Sequence, residues 1–323
     1  MRRAGFADFA LSPPARTGPG ERRRMDLGVR RTRNGVVLGL HQQRSIDIVD
    51  LTTCLVLRPE LVALMPPLRA LLTRLQALRR EGSVIANLLD CGPDVLLRTD
   101  GPLHLADRIA LTKFARAHML PRIAWAQDTD EPEPVALLRP PTTSLSGIVV
   151  TPPPGAFLQA SASGEAAIVA AVLDAVPAKG RIVELFAGCG TITFALAERA
   201  RVAAWEGDGT AASALRAAAN HSHVVGRIEV TQRDLARQPL QAKELNGFGV
   251  VVLDPPFAGA ASQIAQIATA RIPTVIYVSC NPATLSRDAR LLHQAGYRLK
   301  SAMPIDQFLW SVRLESVVAF DRG

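Results

Sequence analysis

Between residues 181 and 281 five short apolar runs recur, most of them ending in small or polar residues: RIVELF, RVAAWEGD, RIEVTQRD, GVVVLDPP and TVIYVSCN. Apolar segments of helical character separate several of them. Runs rich in β-branched residues belong to strands buried on both faces, which helices must then cover. The pattern predicts an α/β fold, a Rossmann-like doubly wound parallel sheet, over residues 156–323. A helix is expected at 164–176, ahead of the first strand. The closing runs YRLKSAMPI and SVRLESVVAF predict two strands with a short connection, forming an antiparallel edge.

Residues 26–155 lack that rhythm. Asn34-Gly35 between extended runs signals a hairpin. Residues 60–80 carry apolar side chains at helical spacing, which Pro66-Pro67 is expected to break. Strand-like runs at 83–90 and 94–99 precede a helix from about 102 to 119. This mixture predicts an N-terminal α+β domain, with the Pro-rich stretch 131–155 as its boundary. Residues 1–25, rich in Pro, Gly and Arg, read as a basic, flexible tail.

The chain is 48% hydrophobic, enough for a substantial core. No apolar run approaches the roughly 20 residues of a membrane span, and the N-terminus lacks the apolar segment of a secretory signal. A cytoplasmic protein with no membrane partner is expected, and a monomer is the default. Cys54, Cys91, Cys189 and Cys280 form no CxxC pair, which argues against a zinc ribbon or redox dithiol. The net charge of +8 is concentrated at the front, where residues 1–44 hold ten Arg and no Lys against Asp8, Glu21 and Asp26. Such a stretch suits phosphate contacts and points to RNA as a partner.

The chemistry is expected at strand ends, where ligands of open α/β sheets collect. In ELFAGCGTIT, Gly188 and Gly190 allow a tight turn and close backbone approach, but Thr193 stands where a dinucleotide fingerprint needs a third glycine. Glu206, at the end of the second strand, is placed to accept from ribose hydroxyls, and Asp234, at the end of the third, to reach an adenine amino group. An adenosyl ligand without a pyrophosphate loop fits methyl transfer. Asp254 opens the rigid Asp254-Pro-Pro-Phe257 turn, which alone also fits the exocyclic-amine methyltransferases that grip a flipped base. Cys280, in VSCNPATLSRD, sits at the mouth of the fifth strand. An amine needs no such group, whereas uracil C5 becomes nucleophilic only after a thiolate adds at C6.

The segments FLQAS, ELFAGCGTIT, WEGD, LDPPFAGA, SCNPATLSRD and DQFLWSVRLESV resemble the RNA uracil-C5 methyltransferase family, from about residue 22 to the end. The resemblance implies a class I, S-adenosylmethionine-dependent enzyme that makes 5-methyluridine in a loop or single strand of RNA, either 23S ribosomal or transfer RNA. It implies that Gln159, Phe186, Glu206, Asp234 and Asp254 surround the cofactor, that Cys280 is the nucleophile, and that Glu315 removes the C5 proton. The sequence departs from the family where Phe257 replaces a usual Arg, and where Arg313 replaces a usual His two residues before the base. The family's RNA-binding barrel and cysteine triplet have no counterpart here. Cys54 matches a fourth iron–sulfur ligand, but one cysteine cannot hold a cluster. The expectation is an N-terminally shortened member, by evolution or by a misplaced start codon. An amine methyltransferase and a non-catalytic RNA-binding relic are the alternatives.

Overall fold

The computed structural model describes residues 1–42, 45–178 and 180–322; Arg44, the last of the ten N-terminal arginines, lies outside them. The chain divides into two compact units, each discontinuous in sequence. One comprises Gly18–Thr143 and Thr151–Ser161, the other Met1–Thr17, Ser144–Val150 and Ala162–Gly323.

The first unit is built on a seven-stranded sheet. The Asn34-Gly35 hairpin forms, joining antiparallel strands Arg24–Thr32 and Gly35–His41. Strands Gly92–Thr99 and Arg122–Gln127 run parallel, with the helix Leu105–Ala117 lying between them in the chain. The helix Pro59–Arg74 continues through Pro66 and Pro67 instead of breaking there. Pro66 is exposed and Pro67 half-buried, so water can reach the carbonyls whose helical partners are lost. The opposite face buries Leu61, Leu64, Met65, Leu68, Leu71 and Leu72, and this apolar stripe outweighs the two missing hydrogen bonds.

The second unit carries the doubly wound sheet. Its strands are β1 (Ile182–Leu185), β2 (Val202–Glu206), β3 (Ile228–Gln232), β4 (Val250–Leu253), β5 (Thr274–Ser279), β6 (Arg298–Asp306) and β7 (Glu315–Asp321). Their order across the sheet is β3-β2-β1-β4-β5-β7-β6. β1 to β5 are parallel, and β7 enters antiparallel between β5 and β6. The two closing strands are therefore antiparallel as expected, but the last of them is internal. The principal helices are α1 (Ala162–Ala175), α2 (Thr191–Ala197), α3 (Gly209–Asn220), α4 (Ala261–Ala270) and α5 (Pro282–Gln294). β1, β4 and β5 are buried along their whole length, as their apolar runs require.

Residues 1–25 are not one tail. Ala4 and Phe6 are buried in the core of the second unit, where the Phe6 ring lies 5.4 Å from that of Phe320. Ala10–Leu11 and Ala15–Arg16 add parallel to β6, covering backbone groups that an edge strand would expose. Residues from Gly18 onward belong to the other unit. Similarly, the Pro-rich stretch 131–155 is no single boundary, because the chain passes between units at 143/144, 150/151 and 161/162. Apolar residues spaced among arginines and prolines carried too weak a periodicity to reveal this.

Candidate active site

The chain leaves β1 through strained backbone. Phe186 adopts φ 63°, a left-handed conformation that costs a non-glycine residue about 1–3 kcal/mol. Gly190, at φ 103°, has no room for a side chain, since a Cβ there would lie 2.5 Å from Leu215 Cδ1 and 2.6 Å from the Phe194 ring. Gly188, at φ 56°, is different: a Cβ would enter open space, leaving backbone that a ligand can approach closely. The Gly188 N–H donates to Glu206 Oε2 at 2.7 Å, and the Asp208 N–H donates to Glu206 Oε1 at 2.8 Å. The loop after β1 thus fixes the acid that ends β2. Asp208, which the sequence reading missed, accepts from Thr210 N–H and Ala211 N–H and caps α3. Asp234, beyond β3, is exposed and accepts from the N–H groups of Ala236 and Arg237.

A second acid also escaped the sequence reading. Glu184 lies inside β1, buried, and its Oε2 has no hydrogen-bond partner among the described residues. Burial pushes its carboxyl up to about 8; the Thr193 hydroxyl opposes this, while the charges of Asp254 and Glu206 add to it. Its only signal in sequence was a lone acid within an apolar strand. Glu184 on β1 thus lies within electrostatic reach of Glu206, at the end of β2, and of Asp254, just after β4. Acidic groups beside open backbone at Gly188 fit a ligand bearing both ribose hydroxyls and a positive sulfonium, as S-adenosylmethionine does.

Cys280 follows β5 directly and is half-buried. Asn281 caps α5 by accepting from Ala283 N–H at 3.0 Å, with Pro282 in the first turn. The Asn281 Nδ2 also donates to the Phe257 carbonyl at 2.9 Å, tying the Asp254-Pro-Pro-Phe257 turn to the residue after Cys280. Ser279 pairs with Ser316 across β5 and β7, so Cys280 and Glu315 each flank the last pair of that ladder, and the Glu315 charge reaches the Cys280 thiol. Glu315 is buried; its Oε2 accepts from Gln307 Nε2 at 3.1 Å and its Oε1 has no hydrogen-bond partner among the described residues. Burial and the Asp254 charge push Glu315 up to about 8, against the hydrogen bonds from Gln307 and the Ser316 N–H. Burial, then Glu315 and Asp254, raise the Cys280 thiol, and the Arg313 charge pulls it back.

Seven of the predicted positions, Phe186, Gly188, Gly190, Glu206, Asp254, Cys280 and Glu315, lie on these strand ends, with Asp234 at the end of β3. Gln159 belongs to the other unit, buried, with its carbonyl accepting from Arg23 Nε at 3.1 Å. Cys54 is also in that unit, packed on its apolar core. Cys189 is buried within the glycine loop, and burial pushes its thiol up to about 12, so it is no competing nucleophile.

The strand order, the glycine loop after β1 and the acids at successive strand mouths define a methyltransferase of the Rossmann-like class. The family model described as tRNA (uracil-5-)-methyltransferase matches residues 150–323. An uncharacterised RNA methyltransferase of Mesorhizobium japonicum is 38% identical over 315 residues, 98% of this chain and 75% of that protein. The 23S rRNA (uracil(1939)-C(5))-methyltransferase RlmD of Pectobacterium atrosepticum is 36% identical over 330 residues, 99% of this chain and 72% of that protein. The tRNA (uracil-54, C5)-methyltransferase of Pyrococcus abyssi, solved with S-adenosyl-L-homocysteine, shares the fold with a TM-score of 0.69 at 20% identity, covering 99% of this chain and 80% of that one. The chain belongs to the tRNA (uracil-5-)-methyltransferase family and is an S-adenosylmethionine-dependent RNA uracil-5-methyltransferase. Uracil C5 as the family's target displaces the exocyclic-amine reading of the Asp254-Pro-Pro-Phe257 turn. Among the described residues, no helix is long and apolar enough to cross a membrane.

Proposed function

We propose that this enzyme methylates C5 of a uridine in 23S ribosomal RNA through a covalent adduct between Cys280 and C6. The observation that carries the reading is the adjacency of Cys280 and Glu315 at the strand mouths. The Cys280 thiolate adds to C6, forming an S–C6 bond and moving the C5–C6 π electrons to C5 as an enolate. The glycine loop, Glu206, Asp234 and Asp254 would hold S-adenosylmethionine, whose S–CH3 bond would break as C5 takes the methyl, leaving neutral S-adenosylhomocysteine. Glu315 then accepts the C5 proton, the C5–C6 double bond re-forms, and the S–C6 bond breaks to return the thiolate.

A carboxyl raised toward neutrality suits the last proton transfer, because a base works best with its pKa near the working pH. The target uridine must leave its stack to reach a residue at a strand mouth, which favours a loop or single strand over duplex. The resemblance to RlmD at 36% identity supports ribosomal over transfer RNA. The test is nucleoside mass spectrometry of RNA from a deletion strain, incubated with the protein and labelled S-adenosylmethionine. Labelled 5-methyluridine in 23S RNA, absent with Cys280→Ala, is expected. Label in transfer RNA alone overturns the ribosomal target, and an unimpaired Cys280→Ala variant overturns the adduct.

A further inference from the structure

The two positions at which the sequence departs from the family pattern meet in space. Arg313 Cζ lies 5.0 Å from the centroid of the Phe257 ring. Phe257 is 54% exposed, yet its backbone is pinned, its carbonyl accepting from Asn281 Nδ2 at 2.9 Å and Thr284 Oγ1 at 3.4 Å. The loop behind it is held as well, with the Ala258 carbonyl accepting from Arg287 at 3.0 Å. Arg313 is exposed and forms no ion pair with any described residue. Three residues before it, Trp310 is 72% exposed at φ 59°, and Val312 between them is 97% exposed.

Packing in the core does not explain a fixed apolar ring in water under a guanidinium without a carboxylate. Unstacked nucleobases bind to aromatic faces and to guanidinium planes, and a free arginine also takes phosphate oxygens bidentately. The placement fits that use. Phe257 ends the turn that begins at Asp254, Arg313 precedes Glu315 by two residues, and the Arg313 charge reaches Cys280. We propose that the Phe257–Arg313 pair is a stacking platform for a nucleotide next to the target uridine, with Arg313 also contacting the strand's phosphate. The proposal rests on the reading of Cys280 as the nucleophile toward an RNA uridine.

The test is a double-perturbation cycle with the fluorescein-labelled RNA fragment that receives the methyl group. Abasic residues replace each nucleotide flanking the target in turn, and binding is followed by anisotropy. Phe257→Leu and one of the abasic flanks are each expected to weaken binding about tenfold. Combining them should cost no more than either alone, because both remove the same contact. Phe257→Tyr, which keeps a ring, should bind as the parent does, and Arg313→Gln should lower the salt dependence by about one phosphate contact. Multiplied losses in the combination, at both flanks, overturn the platform. The same RNA with 5-fluorouridine at the target separates the two readings. A denaturation-resistant adduct in the parent protein with no coupling rejects only the platform; no adduct rejects the nucleophile reading and the platform with it.

Discussion

Cys280 directly follows Ser279, whose partner on the neighbouring antiparallel strand, Ser316, directly follows Glu315. The fold thereby sets a thiol beside a buried carboxyl with one oxygen left without a hydrogen-bond partner among the described residues. Removing each should arrest a different step. Cys280→Ala should leave no adduct and no product. Glu315→Gln keeps the shape but cannot take the C5 proton, so turnover should fall about 10²–10⁴-fold. The methylated RNA should then accumulate as a protein-linked band on denaturing gels. A Glu315→Gln variant that turns over slowly without accumulating that band places the base elsewhere.

The Cys280 thiol should respond to its neighbours with opposite signs. Glu315 and Asp254 disfavour the thiolate by their charge, and Arg313 favours it. In alkylation by iodoacetamide across pH, Glu315→Gln and Asp254→Asn should therefore shift the Cys280 profile to lower pH. Arg313→Gln should shift it to higher pH. Cys189, raised by burial to about 12, should stay unlabelled in the folded protein below about pH 9. A common shift in one direction for all three variants points to altered packing instead of charge.

The two glycines of the loop after β1 should fail differently. Gly190→Ala forces a Cβ against Leu215 and Phe194 at a left-handed φ, and should destabilise the fold by about 2 kcal/mol or more. Gly188→Ala meets no atom, so its cost should be about 1 kcal/mol, from backbone conformation alone. Its larger effect should be on S-adenosylmethionine affinity, through the space its methyl occupies. Thermal melts paired with calorimetric titration separate the two, and equal melting losses with unchanged affinity contradict this division.

Much of this site was legible because strand mouths follow from local pattern. An apolar run ending in Glu206, Asp254 or Cys280 marks both a strand and its carboxyl end, where ligands of open α/β sheets collect. What stayed hidden depends on order in space. Nothing in YRLKSAMPI or SVRLESVVAF says that the later strand inserts beside β5, yet that insertion alone brings Glu315 to Cys280. Phe257 and Arg313 looked like two independent departures until the fold paired them. Pro66-Pro67 misled because local propensity says little about how much apolar surface a helix buries on its other face. Glu184 was overlooked because a single acid does not disturb an apolar strand's pattern, although it dominates that strand's electrostatics.

Glu184 also makes a prediction about stability. Its carboxyl titrates near 8 in the folded protein against an ordinary 4.5, chiefly because burial penalises the charge. Between those values the folded chain holds a proton that the unfolded chain has released, so stability falls as pH rises through this window. Its contribution is fully present below about 4.5 and lost by about 8. Glu184→Gln keeps the shape and removes the ionisation. The variant should melt close to the parent at about pH 5 and above it at about pH 8.5, by at least about 1 kcal/mol, or roughly 2–4 °C for a domain of this size. The gain should carry a cost in S-adenosylmethionine affinity if the buried charge supports the cationic ligand. A melting difference that is the same at both pH values would show that Glu184 stays in one protonation state throughout, and that its environment is more polar than its burial implies.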